Sequence, residues 1–455
     1  MRVKGLLFVS VFLANVAFAA QQVFVVNNND RTVDVINTAT NTVANLIPLT
    51  GAVHPSYIAF SPNGQKAYVC NQTSDNVTVI DANTYTVIKT ISANIGSLPY
   101  FIAFTPNGLK AYVSNSTSNT ISVIDAVNDV VTSVISNNVG TFPFWIMLTP
   151  DGSKAYVTSD SIVSVINTAT DTAEIIPVAG PCVYGAITPD GSKVYVALRN
   201  NAVAVIDTAT NTILKNITVN IGSTPAFVAI TPDGKKAYVT NYGNATVSVI
   251  DTQTDTATLL TSNFGNQPNI IAITPDGTKA YVTNSRSNSV SVIDTQTDTV
   301  SLITTNIGTG PYWIAAAPDG SSVYAVNFGS TTVSAINTHT NTATLIPVGT
   351  HPYFLAITPA PISTVSGSTK KNQFLSQTDL INVVTWTPGG ISPTAYKIYR
   401  NAGLTDLAGT VSANGPLTFL DHTRKKEQTY SYYVVSVNQA GAGTTRVGNT
   451  TITAR

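Results

Sequence analysis

The stretch PAFVAITPDGKKAYVTNYGNATVSVID, at residues 225–251, contains three short runs rich in β-branched and aromatic residues. Pro232-Asp233-Gly234 separates the first run from the second, and a polar segment around Gly243 separates the second from the third. Alternation of β-branched residues between such breaks is typical of strands, and Pro-Asp-Gly is a turn sequence. The stretch therefore predicts three antiparallel strands, which a fourth apolar strand follows after Asp251.

The same four-strand unit recurs along most of the chain. Its Pro-Asp/Asn-Gly turn begins at Pro62, Pro106, Pro150, Pro189, Pro232, Pro275 and Pro318, at spacings of 39 to 44 residues, and Pro359 follows without the glycine. A repeat of this length with four strands is typical of β-propeller blades. We predict an all-β fold with a propeller at residues 20–359.

The number of strands predicts how the ring closes. The repeats begin at a second strand, near Val23, and end on a lone first strand, Tyr353 to Thr358. If that last strand completes the sheet of residues 23–49, one blade contains both ends of the repeat region and no sheet edge stays open there. We predict eight four-stranded blades. Seven blades with the shortened unit between Pro150 and Pro189 expelled are the alternative.

Composition limits the classes of fold and of partner that the chain can have. Charged residues make up 10% of the chain, against roughly 25% in ordinary domains, and the only two glutamates are Glu174 and Glu427. Long amphipathic helices would lack their usual solvent-facing residues, so helix-rich folds are excluded. The 23 basic and 23 acidic residues form no polybasic patch, so we expect no nucleic-acid partner. We also expect a monomer.

Residues 1–19 have the features of a signal peptide. Arg2 and Lys4 precede an apolar run that ends at Ala17-Phe18-Ala19, a small-x-small pattern. No later stretch approaches the roughly 18 apolar residues of a membrane helix. We expect cleavage after Ala19, no transmembrane span in the mature protein, and a secreted or periplasmic location.

The composition changes after Pro359. Residues 360–372 are predicted to be a linker, and residues 373–455 resemble a fibronectin type III sandwich, with Trp386 and Tyr430 at its two aromatic anchor positions. Residues 20–359 carry 12 basic and 19 acidic residues, and residues 360–455 carry nine and four. Solvated surface charge is the favoured explanation of these opposite net charges, and docking between the domains or binding of an acidic envelope polymer is the alternative.

The repeat also resembles a known family. Tyr-Val-Thr-Asn occurs at 238–241 and 281–284, with Pro-Asp-Gly before it and Val-Ser-Val-Ile-Asp-Thr after it. Residues 22–359 thus resemble the YVTN-type β-propeller repeats of bacterial and archaeal extracytoplasmic and surface-layer proteins. The resemblance implies a ring-shaped and often exported scaffold. Members differ in role, and similar propellers occur in lactonases and redox proteins, so the family alone fixes no function.

The residues that bear reactive groups are few. Cys70 and Cys182 lie three units apart, too far for a disulfide, so we expect free thiols. His54 and His351 each precede a proline at the start of a first strand and are candidate metal ligands on one rim. Catalytic zinc usually takes three protein ligands, so two rim histidines without a metal are the favoured interpretation. No cofactor is predicted.

Aromatic residues indicate a binding surface. The second residue of each first strand is bulky throughout, which is what packing between blades requires. The residue before it is aromatic in only some units, and these are Tyr100, Phe144, Tyr312 and Tyr353. With Tyr242 from a nearby loop, they are predicted to form a crescent at the channel mouth that suits a glycan or a protein side chain. Interblade packing is the favoured interpretation of these residues, and binding is the alternative.

These observations lead to one main hypothesis and two rivals. The main hypothesis is a non-enzymatic envelope or extracellular scaffold that binds a protein or glycan through the propeller mouth. The first rival is a propeller enzyme of the lactonase or redox type, with a site in the central channel that uses His54, His351 or Arg286. The second is a structural role in a surface layer. Converging ionisable groups in the channel would favour the enzyme.

Overall fold

The computed structural model describes residues 21–359 throughout and, beyond them, the backbone of seven strands between residues 364 and 453. The described residues are strands and turns, with no helix among them. Accordingly, this part of the chain contains no helix with the length and hydrophobicity to cross a bilayer. The predicted signal peptide, residues 1–19, lies outside the described residues.

Thirty-two strands form the propeller. The first half of the chain contributes β1 (Gln22–Asn27), β2 (Thr32–Asn37), β3 (Thr42–Pro48), β4 (Pro55–Phe60), β5 (Lys66–Asn71), β6 (Asn76–Asp81), β7 (Thr86–Ile91), β8 (Pro99–Phe104), β9 (Lys110–Asn115), β10 (Thr120–Asp125), β11 (Val130–Ile135), β12 (Ile146–Leu148), β13 (Lys154–Thr158), β14 (Ile162–Asn167) and β15 (Thr172–Pro177). The second half contributes β16 (Cys182–Ile187), β17 (Lys193–Leu198), β18 (Ala202–Asp207), β19 (Thr212–Ile217), β20 (Pro225–Ile230), β21 (Lys236–Asn241), β22 (Thr246–Asp251), β23 (Thr256–Leu260), β24 (Pro268–Ile273), β25 (Lys279–Asn284), β26 (Ser289–Asp294), β27 (Val300–Ile303), β28 (Pro311–Ala316), β29 (Ser322–Asn327), β30 (Thr332–Asn337), β31 (Ala343–Pro347) and β32 (Pro352–Ile357).

The strands form eight antiparallel four-stranded blades. Blade 1 has the order β3-β2-β1-β32, and blades 2 to 8 follow from β4–β7 to β28–β31, each in chain order. Strand β1 pairs with β32, with Val23 opposite Ile357 and Val25 opposite Leu355. This pairing confirms eight blades and closure by both ends of the repeat region. The shortened unit stays in the ring as blade 4, where β12 has only three residues.

Burial follows strand position within a blade. The second and third strands are buried along nearly their whole length, as in β21 and β22, because both sheet faces lie against neighbouring blades. The fourth strands are largely exposed at the outer side of the ring. First strands line the central channel. Cys70 is buried and Cys182 is half-buried, and both thiols are free, as predicted.

The last seven strands form two antiparallel sheets. These strands are β33 (Thr364–Phe374), β34 (Gln377–Thr387), β35 (Ala395–Tyr399), β36 (Leu407–Ser412), β37 (Thr418–Asp421), β38 (Thr429–Val437) and β39 (Val447–Thr453). One sheet has the order β33-β34-β37 and the other β36-β35-β38-β39. Strand β33 begins inside the segment predicted to be a linker. The resemblance to fibronectin type III stays a prediction, because the side chains of Trp386 and Tyr430 lie outside the described residues.

A polar contact joins neighbouring blades at seven of the eight junctions. A buried tyrosine hydroxyl on the second strand of one blade donates to an Asp or Asn side chain in the turn between the third and fourth strands of the next blade. We call this the Tyr–Asx contact. Its pairs are Tyr68–Asp129, Tyr112–Asp171, Tyr156–Asn211, Tyr195–Asp255, Tyr238–Asp298, Tyr281–Asn341 and Tyr324–Asn41.

A lysine two residues before the tyrosine reinforces most of these contacts. Lys236 Nζ lies 2.7 Å from the Asp298 carboxylate, and Lys110 Nζ lies 2.8 Å from that of Asp171. Each Asx residue of the contact has a positive φ, for example 56° at Asp298. Asp and Asn tolerate this conformation better than most residues. The turn and the interblade contact therefore require the same residue types.

At the junction between blades 1 and 2, both residues of the Tyr–Asx contact are replaced. Phe24 stands where the other blades have tyrosine, and Tyr85 stands in the next blade at the Asx position, with φ of 57°. The rings of Phe24 and Tyr85 lie 6.2 Å apart, and the Gln22 amide donates to the Tyr85 hydroxyl. A ring contact and an amide thus join blade 1 to blade 2 without a charge.

Removal of one contact hydroxyl should weaken the ring. In Tyr238→Phe, Asp298 loses a hydrogen bond of 2.7 Å but keeps Lys236. We expect the free energy of unfolding to fall by about 1–2 kcal/mol, because hydrogen bonds to charged groups contribute about 1.5–3 kcal/mol. Urea unfolding at neutral pH measures the change. Tyr242→Phe, the same change outside these contacts, is the control, and an equal loss there would contradict the interpretation.

The same tyrosines predict alkaline instability. Burial is the largest cause that raises the pKa of all seven, and the pKa of Tyr324 rises to about 12. Their stabilising effect is complete below the unfolded value of about 10 and is lost as pH rises through the folded values, because the unfolded chain loses these protons first.

Tyrosinate absorbance near 295 nm measures this ionisation. At about pH 11 we expect the folded protein to keep at least these seven of its 19 tyrosines protonated, whereas the urea-unfolded chain ionises most of them. Titration of all tyrosines near pH 10 in protein that remains folded would contradict the prediction.

Candidate functional site

A layer of aromatic rings closes the central channel. It consists of the third residues of the first strands, with Trp145 directly before β12 in blade 4, and its members are Tyr57, Phe101, Trp145, Tyr184, Phe227, Trp313 and Phe354, with Ile270 in blade 7. Rings of adjacent blades contact each other, as Tyr57 and Phe101 do at 4.0 Å between centroids. Trp145 and Trp313 meet from blades 4 and 8 at 5.9 Å. The predicted interblade layer therefore also forms an aromatic plug across the channel.

Four tyrosine side chains meet on the mouth side of this plug. Tyr100, Tyr184, Tyr312 and Tyr353 line one small pocket there, and Tyr100, Tyr184 and Tyr312 are close enough to the other members for the neighbouring phenols to influence their pKa values. We call these four phenols the tyrosine tetrad. Ser56 is buried between blades 1 and 3, and its small side chain leaves the space in which Tyr100 reaches Tyr353.

Burial sets the protonation of the tetrad. It is the largest cause that raises the pKa of Tyr100 and Tyr184 well above the usual value, and it raises the pKa of Tyr312 to about 12. Neighbouring phenols add to each shift, because ionisation of one disfavours ionisation of the next. At neutral pH the hydroxyls of Tyr100, Tyr184 and Tyr312 therefore stay protonated and can donate hydrogen bonds to a ligand oxygen.

The structure brings the predicted aromatic residues together. Tyr100 packs against Phe144 at 4.4 Å, and Tyr312 packs against Tyr353 at 5.7 Å. Tyr242 is half-buried and close enough to Tyr312 to influence its pKa. Tyr184 joins the cluster, because its ring packs against Phe144 at 4.9 Å and it lines the same small pocket as Tyr312 and Tyr353. A role in binding stays a prediction.

The two rim histidines occupy equivalent positions in neighbouring blades. Both are exposed, with φ of 52° at His54 and 50° at His351. His54 Nδ1 lies 2.7 Å from Thr73 Oγ1, and His351 Nδ1 lies 2.6 Å from the amide nitrogen of Asn29. Within the described residues, no group of three His, Cys, Asp or Glu side chains comes together, so neither histidine gains the further ligands that a metal site requires.

His351 is the histidine that adjoins the tetrad. Its ring lies 5.4 Å from that of Phe328, which lies 5.8 Å from Tyr353 and 6.4 Å from Tyr312. Asp30 lies close by, and hydrogen bonds from the Thr350 hydroxyl and backbone, with the charge of His351, lower the pKa of its carboxyl group. An imidazole, a carboxylate and phenol hydroxyls thus share one side of the mouth.

Sequence reasoning missed two members of this site. Tyr184 was assigned only to the interblade layer, although Val183 leaves its blade without an aromatic residue at the preceding position. Phe328 follows Asn327 in its repeat as Tyr242 follows Asn241, so comparison of the repeats would have found it. Arg286, a predicted catalytic candidate, is exposed in the loop after β25.

Comparison with known proteins gives two family matches. Residues 7–180 match the model of the YNCE-like beta-propeller family, and residues 188–354 match that of the family described as lactonase, 7-bladed beta-propeller. Each match covers less than half of the chain, and this ring has eight blades. No curated protein matches the chain.

Solved structures share the fold. A chain of Kuenenia stuttgartiensis hydrazine synthase aligns with a TM-score of 0.51 and 24% identity, over 65% of this chain and 95% of that chain. The dihydro-heme d1 dehydrogenase NirN, in complex with DHE, aligns with a TM-score of 0.62 and 17% identity, over 74% of each chain. At these identities the likeness concerns the fold.

The comparisons correct one prediction. We expected a protein without enzymatic activity, and the match to the lactonase family contradicts that expectation. That expectation rested on the lack of converging charged groups that depart from the repeat, and the family match does not depend on such groups. The matched families and the ring of four-stranded blades identify the chain as a β-propeller repeat protein.

Proposed function

We propose that the protein is a propeller hydrolase of the lactonase type, with its site at the channel mouth between His351 and the tyrosine tetrad. The observation that carries the proposal is the convergence of an imidazole and protonated phenols on one side of the mouth. Lactone hydrolysis needs a base for water and donors for the oxygen that becomes negative. The match of residues 188–354 to lactonases, a range that includes His351 and Tyr312, supports the proposal.

His351 is the proposed general base. Asn29 holds its Nδ1, which leaves Nε2 for catalysis. The Asn29 amide nitrogen faces Nδ1, so the mechanism requires this amide to turn by 180°, which lets its oxygen accept from Nδ1–H. Nε2 then takes a proton from water as the water oxygen attacks the lactone carbonyl carbon. The Asp30 carboxylate stabilises the resulting imidazolium. The ring C–O bond then breaks, the imidazolium returns the proton to the leaving oxygen, and the product is a hydroxy acid.

The tetrad is the proposed oxyanion-stabilising group. In the free protein its four phenols line one small pocket over the plug. A carbonyl oxygen that enters the mouth accepts a hydrogen bond from Tyr312 or Tyr353, and that bond strengthens as negative charge develops. Phe328 supplies an apolar surface for the body of the substrate.

The charge of the propeller indicates the class of substrate. Residues 20–359 contain 12 basic and 19 acidic residues, so the net field of the ring repels anions. The mouth itself is aromatic. We therefore propose uncharged lactones, with aromatic or aliphatic substituents, as substrates.

Substitution of the base tests the mechanism. For His351→Gln we expect kcat/KM for an uncharged lactone such as dihydrocoumarin to fall about 100-fold or more, because a positioned base contributes about 10²–10⁴. His54→Gln is the matched control, since this histidine has the equivalent position in the neighbouring blade and a different partner. A pH-stat assay that follows acid release measures the rates.

Three outcomes would contradict the proposal. They are equal losses in both histidine variants, hydrolysis no faster than in buffer with every lactone tried, or full activity in Tyr312→Phe combined with Tyr353→Phe. The last variant keeps the rings and removes only the donors, so it separates oxyanion stabilisation from packing. Circular dichroism establishes that each variant is folded.

Export is the proposed route of the protein to its place of action. Arg2, Lys4 and the Ala17-Phe18-Ala19 pattern support it. When the full chain is expressed in a bacterial host, we expect mass spectrometry to find a mature protein that begins at Ala20 in the periplasmic or secreted fraction. An uncleaved chain in the cytoplasm would contradict this prediction. A Lys4→Glu variant with reduced export is the matched control, because it weakens the positive start of the signal.

A further inference from the structure

The aromatic plug leaves a cavity on its other side. This cavity has a volume of about 310 Å³ and extends from the plug to the prolines of the Pro-Asp-Gly turns, among them Pro232, Pro275 and Pro318. The tetrad lies on the opposite side of the plug. The cavity is therefore distinct from the proposed hydrolytic site, and an inference about it does not depend on that function.

Small apolar side chains create this space. Two residues after each residue of the aromatic plug layer, seven blades have alanine and blade 4 has Met147. The alanines are Ala59, Ala103, Ala186, Ala229, Ala272, Ala315 and Ala356, and all of them line the cavity. Most are only partly buried, since larger neighbours do not cover them. The repeat thus holds the channel open with methyl groups where longer side chains would fill it.

The rest of the lining is also apolar. Isoleucine, valine and leucine side chains form the walls, and Trp145, Trp313 and Phe227 contribute to the floor. The described lining residues include no charged side chain, and Tyr57 is the only ionisable one among them. A charged ligand would lose its hydration there without an ion to pair with, which is costly. An apolar ligand would gain from the burial of its surface.

We propose that this cavity binds an uncharged apolar small molecule that places a ring against the aromatic floor. Its size lies at the lower end of the range for small-molecule sites, about 300–1,000 Å³, and its lining has the same apolar character. Offset and edge-on contacts with Trp145 and Trp313 favour a flat ring, and the alanine methyl groups allow it to approach the walls.

Fluorescence of N-phenyl-1-naphthylamine, an uncharged apolar probe, tests the proposal. We expect saturable binding of one probe per chain, with a dissociation constant of about 10 μM or lower. Trp145 and Trp313 are two of the three tryptophans in the chain, so binding should quench most of the tryptophan emission. The anionic analogue 8-anilinonaphthalene-1-sulfonate should bind at least about tenfold more weakly.

A filled cavity provides the decisive variant. In Ala272→Leu combined with Ala315→Leu, two adjacent blades project longer side chains into the space, and we expect probe affinity to fall at least about tenfold. Ala209→Leu on the exposed surface is the matched control. Unchanged urea midpoints establish that the fold persists, and Ala272→Leu alone serves if the double variant unfolds. Equal affinity in filled and native protein, equal binding of the anionic analogue, or the lack of saturable binding would overturn the proposal.

Discussion

The ring depends on hydrogen bonds that each blade makes to the next. A blade is a sheet with two apolar faces. Neighbouring blades could bury these faces in many relative orientations, because the hydrophobic effect has no direction. The Tyr–Asx contact supplies the direction, because Tyr238 reaches Asp298 at 2.7 Å in only one relative placement of the two blades. Tyr324 makes the same contact with Asn41 and carries the series across the point of closure.

The blade that closes the ring also forms the junction that lacks the Tyr–Asx contact. Blade 1 combines β1 with β32, so its strands come from opposite ends of the repeat region. Asp30 accepts hydrogen bonds from Thr350, and Asn28 binds the Pro55 carbonyl, so the loop after β1 joins two junctions. Phe24 belongs to the same blade, and its ring contact with Tyr85 joins that blade to blade 2. The hydrogen bond from the Gln22 amide to the Tyr85 hydroxyl supplies a directional contact at this junction in place of the Tyr–Asx contact.

The sequence predicted the strands, the eight blades and the closure, because each follows from counting a repeated pattern. The Tyr–Asx contacts escaped prediction. Tyr68 and Asp129 are 61 residues apart, and only the rotation between blades, which no strand pattern contains, brings them together. Tyr100, Tyr312 and Tyr353 of the tetrad, and the adjacent Phe144, were predicted because residues at their repeat position differ from blade to blade. Tyr184 was not, because its strand position is the same as that of residues that only pack, such as Phe227.

The same limit explains why the sequence favoured a non-enzymatic scaffold over an enzyme, since only residues that depart from the repeat were considered as catalytic candidates. In a repeat protein, chemistry does not require a rare residue; it can arise where common residues from unlike blades meet on the axis. Tyr100, Tyr184, Tyr312 and Tyr353 come from blades 3, 5, 8 and 1, and Tyr184 stands at a repeat position that is bulky in every blade. Only the ring places the four side chains around one small pocket and raises the pKa of Tyr312 to about 12. The symmetry of the scaffold therefore hides a cluster whose members are asymmetric only as a set.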